Sequence, residues 1–250
     1  MMLMGLLLAA AALLGGHFLE GGALGQLLNL PAAIIVFGGT LGAAFIQTGS
    51  RDTKQAFKLM KGAMAERHPN GRGALDQLMN WSLRVRSHGL LELEKDLDAA
   101  PNQLDIEMDD FVRTGLELLI DGKDGTEIRS VLHNELVTSE QVDLRAVKMV
   151  ESMGGYAPTM GILGAVLGLI QVMSNLADPQ MLGQGIAIAF VATVYGVAAA
   201  NLLLIPLANR IKNGILARYQ YHEMILEGFI AISQGQSPRI IEQRLAGYLK

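Results

Sequence analysis

The 250-residue chain contains no cysteine. Disulfides and thiolate-bound metals are therefore excluded, although this absence says little about compartment. The histidines, at positions 17, 68, 88, 133 and 222, are scattered. None stands beside a carboxylate at ligand spacing, which argues against a metal centre. No glycine-rich loop ends in Lys-Ser or Lys-Thr, so the phosphate-cradling signature is missing. With no nucleophile and base at a recognisable spacing either, the chain reads as a non-enzyme that carries no cofactor.

Charge is also missing, and in a telling pattern. Met1–Leu19, Gly21–Ser50, Ser152–Ala177 and Pro179–Asn209 contain no Asp, Glu, Lys or Arg. A helix needs about 20 apolar residues to cross a bilayer, so these runs give four candidate spans. The first has a signal peptide's length and alanine content. It lacks a basic leader and is followed at once by another span, so it reads as a retained helix. It is only just long enough, as if residues were missing from its start. Ion-coupled membrane proteins usually hold an ionisable group within the bilayer. No Asp, Glu, Lys, Arg or His lies inside spans two, three or four, so any coupling carboxylate has to come from another chain.

All 20 Lys and Arg fall in two segments, Arg51–Lys148 and Arg210–Lys250. The short loops Glu20–Leu27 and Leu176–Gln180 have none. The positive-inside rule then puts both termini and the large middle segment in the cytoplasm. Between Arg51 and Glu151 there are 14 basic and 19 acidic residues, a mixture that disfavours nucleic acid. The predicted fold class is an all-α membrane protein with four transmembrane helices and a helical cytoplasmic domain between the second and third. Its segments are 1–48 (spans one and two), 49–147 (polar domain), 148–212 (spans three and four) and 213–250 (helical tail).

The polar domain shows helical spacing at Leu75, Leu78, Met79 and Leu83, and again at Leu116, Leu119 and Ile120. Pro69-Asn70-Gly71, Pro101-Asn102 and Asp121-Gly122 interrupt it, which predicts four or five short helices. The helix entering span three is expected to begin near Glu140, and the helix leaving span four to reach toward Gly235. Ser237-Pro238 reads as N-cap and first position of a last helix, Arg239–Leu249.

Spans three and four form a hairpin across Leu176–Gln180 and are rich in small residues. In lipid, close approach of such residues supplies helix contact. Pro158, Gly161, Ala165 and Gly168 share one face of span three; Gly185, Ala189, Thr193, Gly196 and Ala200 share one face of span four. Gly164 adds to the packing set of Gly161, Gly168, Gly185 and Gly196. Gly38 and Gly42 form a GxxxG pair on span two. Pro158 and Pro206 each remove a backbone donor and free the carbonyl four residues earlier, at Gly154 and Leu202. In a membrane those carbonyls need protein or water, so a kink with a wet seam is expected. Tyr156, Thr159, Gln171, Tyr195 and Asn201 are neutral polar groups that helix packing can satisfy; Thr193 stands out as a lining group. In the polar domain Arg84, Arg86, Glu92, Glu94, Lys95, Asp96 and Asp98 form a dense charge run. It is either a solvated helix face or a protein-docking surface.

MGGYAPTMGILGAVLGLI, NLADP, FVATVYGVAAANLLLIPLANRIK, GLELLIDG and GQSPRIIEQRLAGYL resemble the MotA/PomA family of flagellar stator subunits. HFLEGGALGQLLNLPAAIIVFGGTLGAA is similar to its MotC branch. The resemblance implies a homo-oligomeric ring, a pentamer, in the lipid of the bacterial inner membrane. The ring surrounds a dimer of a single-span partner of MotB or MotD type, which supplies the membrane aspartate, and ion flow drives the rotor protein FliG. It implies an ion path past Thr193, Ala165, Tyr195, Pro158 and Pro206, and a rotor-facing surface at Arg86 and Glu94. Ser87 and Lys95 stand where a second base and a second acid can occur. Sodium-type relatives carry a threonine at the position of Ala165. A dehydrated sodium ion needs several oxygen ligands, so the missing hydroxyl points to H+ as the transported ion. An energiser of the ExbB/TolQ type, which has three spans, is the alternative; a non-conducting scaffold is a further one.

Overall fold

In the computed structural model, residues 2–64, 69–97, 104–174 and 179–249 are described. Every regular element among them is helical. Helix α1 is Met2–Leu19, and a 3-10 turn, Leu24–Leu27, leads to α2, Leu30–Gln47, which widens into a π turn at Ile34–Gly38. Then come α3 (Ser50–Met64), α4 (Gly71–His88), a 3-10 turn (Leu90–Leu93) with α5 (Glu94–Leu97), and α6 (Asp110–Ile120). Helix α7 runs unbroken through Gly125–Ser174, 50 residues. Helix α8 (Pro179–Ala198) joins α9 (Ile205–Ser233) through a wide π turn, Ala199–Leu204. Helix α10 (Pro238–Leu245) and a 3-10 turn (Ala246–Leu249) close the chain. Residues 176–178 of the expected hairpin loop, and Asp98 of the charge run, lie outside the described residues.

Among the described residues three helices are long and apolar enough to cross a membrane: Leu30–Gln47, Gly125–Ser174 and the helix that includes Gly185–Ser233. The first apolar run forms a shorter apolar helix, Met4–Leu19.

The chain makes two compact units: 1–64 with 145–212, and 65–144 with 213–250. In this division α3 belongs with the apolar helices and the C-terminal tail with the polar domain.

The polar unit is built around one hydrophobic core. Helix α4 starts where Asn70 Oδ1 accepts the Gly73 amide at 3.0 Å, a side-chain cap on an orphan donor. It stops at Gly89, whose φ of 86° suits only glycine. Trp81 and Phe229 stack with ring centres 5.9 Å apart, and Leu78, Leu93, Leu116, Leu119, Ile128, Leu132 and Ile225 are fully buried with them. Burying each such side chain is worth about 1.5–3 kcal/mol. Gly115 lies directly under the Phe229 ring, where a Cβ would meet Cε2 at 2.1 Å. Leu83, expected to share the core face, is 57% exposed: α4 packs through Leu75, Leu78, Trp81 and Ser82, which turns Leu83 outward.

The apolar unit buries many small side chains, among them Ala44, Ala56, Ala146, Ala157 and Ala200. Ala32 and Val36 of α2 pack with Val191 and Ala192 of α8, flanked by Ile188 and Tyr195. Ile162, Leu163, Val166, Leu169, Ile170, Phe190 and Val194 are exposed. Such continuous apolar surface marks contact with lipid or another chain.

Candidate functional site

Helices α7 and α8 meet through their backbones. A Cβ on Gly161 would stand 2.9 Å from the Ala192 carbonyl oxygen, and one on Gly168 would stand 2.7 Å from that of Gly185. On Gly196 it would come within 2.4 Å of the Ala157 carbonyl oxygen and 3.1 Å of Gly161 Cα. Gly185 faces Val172 and the Gly168 carbonyl, and Gly164 sits where Ala192 and Ile35 converge. On α7 the contacting face is thus Ala157, Gly161, Gly164 and Gly168. The spacing-based face ran through Pro158 and Ala165 instead; both are half-buried at its edge. Thr193 is half-buried too, and its hydroxyl donates to the Ala189 carbonyl at 3.2 Å. On α2, Cβ atoms at Gly38 and Gly42 would meet nothing within 4 Å; Gly39, against Met160, is the glycine in contact.

The two prolines are handled differently. Pro158 sits inside continuous α-helix. Pro206 follows the π turn, in which the Ile205 amide bonds to the Ala200 carbonyl, five residues back. A proline ring clashes with the carbonyl four residues earlier, and a widened turn moves that carbonyl aside. Gly154, whose carbonyl Pro158 leaves without its usual donor, packs on Ile205: a Cβ there would lie 2.7 Å from Ile205 Cγ1. The turns disturbed by Pro158 and Pro206 therefore lie against each other. Nearby, the Tyr156 hydroxyl donates to Gln47 Oε1 at 2.5 Å, tying α7 to the end of α2.

Tyr195 points away from Thr193. Its hydroxyl donates to the Leu27 carbonyl and accepts the Asn29 amide, the latter at 3.2 Å. Asn29 in turn caps α2 by accepting the Ala32 amide at 3.0 Å. One tyrosine thus fixes the entry of α2 against α8, with Phe37 beside its ring at 6.0 Å. Asn29 followed by Leu30-Pro31 is a helix-start signal that the sequence reading passed over. It also passed over Thr40, whose buried hydroxyl has no hydrogen-bond partner among the described residues.

In the polar unit the charge run splits into two sets. Asp96 accepts from Trp81 Nε1 at 2.5 Å and from Arg84 Nη1 at 2.7 Å. Arg84 also donates to the Glu92 carbonyl at 2.8 Å, and Lys95 reaches the Glu92 carboxylate at 2.8 Å. The Lys95 hydrogen bond is the main cause that holds the Glu92 carboxyl below its ordinary range. These residues pin the 3-10 turn to α4. Arg86 and Glu94 take no ion pair among the described residues and are exposed. Glu94 lines an open groove of about 400 Å³ with Leu97, Arg113, Glu117, Ile120 and Asp121. A second polar knot joins Asp109, the cap of α6, to His222 Nε2 at 2.7 Å. The Phe111 ring is stacked on the imidazole at 4.5 Å.

A family model described as the MotA/TolQ/ExbB proton channel family matches residues 103–224, and one described as Motility protein A N-terminal matches residues 3–86. Motility protein A of Treponema phagedenis is 36% identical over 241 residues, 96% of this chain and 90% of that protein. Motility protein A of Bacillus subtilis is 32% identical over 251 residues, 99% of this chain and 89% of that protein. The chain belongs to the MotA/PomA family. A solved structure of C. jejuni MotAB, 28% identical, aligns with a TM-score of 0.91 over 100% of this chain and 95% of that one. Among the described residues no group of His, Cys, Asp or Glu is placed to hold a metal ion.

Proposed function

We propose that this chain is the ring-forming stator subunit of a flagellar motor and that, with a single-span partner of MotB or MotD type, it conducts protons and turns the rotor. The observation that carries the reading is an absence within a channel family: no Asp, Glu, Lys, Arg or His lies inside the Leu30–Gln47, Ser152–Ala177 or Pro179–Asn209 segments. A proton carrier in the membrane needs a titratable group, so the partner's carboxylate supplies it. This chain contributes the half-buried edge of the α7–α8 pair, where Pro158, Ala165 and Thr193 stand. Pro158 and Pro206 shape the path by disturbing adjoining turns, and Tyr195 holds its wall by anchoring α2. The absent hydroxyl at Ala165 favours H+ over Na+.

In this reading α1 is a fourth span, both termini are cytoplasmic, and the protein is a pentamer in the bacterial inner membrane. Arg86 and Glu94, left free by the ion pairs around Asp96, face FliG. The match of residues 3–86 to the motility protein A N-terminal model favours this reading over an ExbB/TolQ-type energiser. The His17–Ala44 stretch supports the MotC branch.

The test is swimming of cells that rely on this stator alone, with and without sodium and with a protonophore. Proton coupling requires speed that is insensitive to sodium and abolished by the protonophore; speed tracking sodium rejects it. Pro158→Ala and Thr193→Ala are expected to leave the complex assembled but barely rotating. Normal swimming in both variants would remove this edge from the mechanism.

A further inference from the structure

Helix α3 begins at Ser50, just after α2 ends at Gln47. The intervening Thr48 and Gly49 span at most about 7 Å. Its sequence, SRDTKQAFKLMKGAM, spaces Arg51, Lys54, Lys58 and Lys61 three, four and three residues apart. That spacing puts all four cations on one helix face. All four are exposed, and none takes an ion pair among the described residues. Ala56, buried, lies on the opposite side with half-buried Leu59, Met60 and Ala63.

Both ends of α3 are tied to other helices of the same unit. Asp52, the one acidic residue of α3, faces Arg145 of α7 at 4.0 Å. The Ala63 carbonyl accepts from Arg210 Nε of α9 at 2.8 Å. Arg210 is the first charge after the uncharged Pro179–Asn209 run, and Arg145 lies six residues before Glu151, the last charge before the Ser152–Ala177 run. Helix α3 therefore lies across α7 and α9 at the level where charge gives way to apolar sequence. Its buried side meets the unit and its cations face outward. Phe57, beside the stripe, is 44% exposed, an apolar ring next to a basic face as in helices that rest on lipid interfaces.

We propose that Arg51, Lys54, Lys58 and Lys61 bind the anionic headgroups of phospholipids around the end of α2. Long basic side chains at a membrane boundary run their stems along apolar surface and set their charges at headgroup level. Basic clusters next to a span are the signature of anionic-lipid recognition. Within one Debye length of the surface, about 8 Å, their attraction is not screened away. The inference rests on α2 crossing the bilayer and is independent of which ion is conducted or what is turned.

The experiment uses the full chain purified in zwitterionic detergent and titrated with phosphatidylglycerol, phosphatidylcholine or inorganic phosphate, with bound lipid counted by native mass spectrometry. Each cation removed is expected to weaken phosphatidylglycerol binding about fivefold, so Lys54→Gln/Lys58→Gln/Lys61→Gln loses on the order of 100-fold. Phosphatidylcholine binding does not change. The triple Lys→Arg variant keeps the wild-type affinity, and Lys58→Gln alone, which leaves the fold untouched, shows the single step. The proposal is overturned if the triple Gln variant binds phosphatidylglycerol like the wild type, or if the wild type does not prefer it to phosphatidylcholine. Competition by inorganic phosphate at equal concentration overturns the lipid assignment. So does unchanged lipid binding with lost motility, which assigns the stripe to a protein partner.

Discussion

Replacing Gly196 with alanine tests the backbone contact between α7 and α8 directly. The added Cβ would sit 2.4 Å from the Ala157 carbonyl oxygen, where ordinary contact begins near 3.4 Å. The obstacle is main chain, so no side chain can rotate away. The helices must separate by roughly 1 Å at this level, and a gap of that size forfeits up to about half of each dispersion contact it opens. The same displacement loosens Gly161 against Thr193 and Gly168 against Gly185. Overpacking of this kind costs about 1–3 kcal/mol, offset by up to about 1 kcal/mol because alanine favours helix. A net loss of roughly 1–2 kcal/mol is expected. Gly155→Ala on α7 is the control, because its Cβ meets nothing within 4 Å; it should be neutral or slightly stabilising. Unfolding of the full chain by SDS titration in mixed micelles measures both. If Gly196→Ala proves as stable as Gly155→Ala, the helices do not touch through their backbones there and the reasoning fails.

Three further outcomes are expected. Tyr195→Phe removes the hydroxyl that bonds to Leu27 and Asn29 and should raise hydrogen exchange of the α2 entry amides without changing Thr193; unaltered exchange would rule out the anchor. Asp96→Ala leaves the Trp81 N–H buried and unpaired and should lower stability by about 1–3 kcal/mol, whereas Arg86→Ala should stay within about 0.5 kcal/mol; equal effects would mean the two sets of charges are not distinct. Burial pushes the Tyr221 phenol up to about 12. A raised value means the stabilisation is complete below pH 10 and disappears as pH climbs toward 12, so Tyr221→Phe should flatten the alkaline limb of the unfolding curve, and an unchanged limb would refute this.

The apolar helices were legible because lipid demands long uncharged runs, and α10 because Ser237-Pro238 announces a helix start. Other features depended on contacts that sequence does not display. Helix α7 begins at Gly125, not near Glu140, since Asp124 caps the Thr126 and Glu127 amides at 2.8 Å. Ile128, Leu132 and Leu136 bury one stripe of this otherwise polar stretch. The contacting face of α7 was displaced by one residue, from Pro158 and Ala165 to Ala157 and Gly164, because small residues occupy adjacent faces and spacing alone cannot rank them. Within the charge run, Arg84 and Arg86 look alike until Trp81 brings Asp96 to one of them. The acid knot at Asp109 was likewise invisible. Burial works to raise that carboxyl, but the hydrogen bond and charge of His222, 113 residues away, together with the Val112 amide, hold it low.

The π turn at Ala199–Leu204 has a consequence for how length can vary in such a chain. A wide turn holds one residue more than an α turn, so everything after it is out of phase by about 100°. Counted as an unbroken α-helix, Ala208 and Ile211 fall out of step with the stripe that runs through Gly185, Ala189 and Gly196, yet both are buried, because the extra residue turns them back onto that face. Deleting one residue between Ala199 and Leu204 would leave an unbroken helix while keeping Pro206, Arg210 and Lys212 on the faces they hold now. A single-residue gap inside a membrane helix, ordinarily taken as an alignment error, is at this place the loss of the wide turn's extra residue.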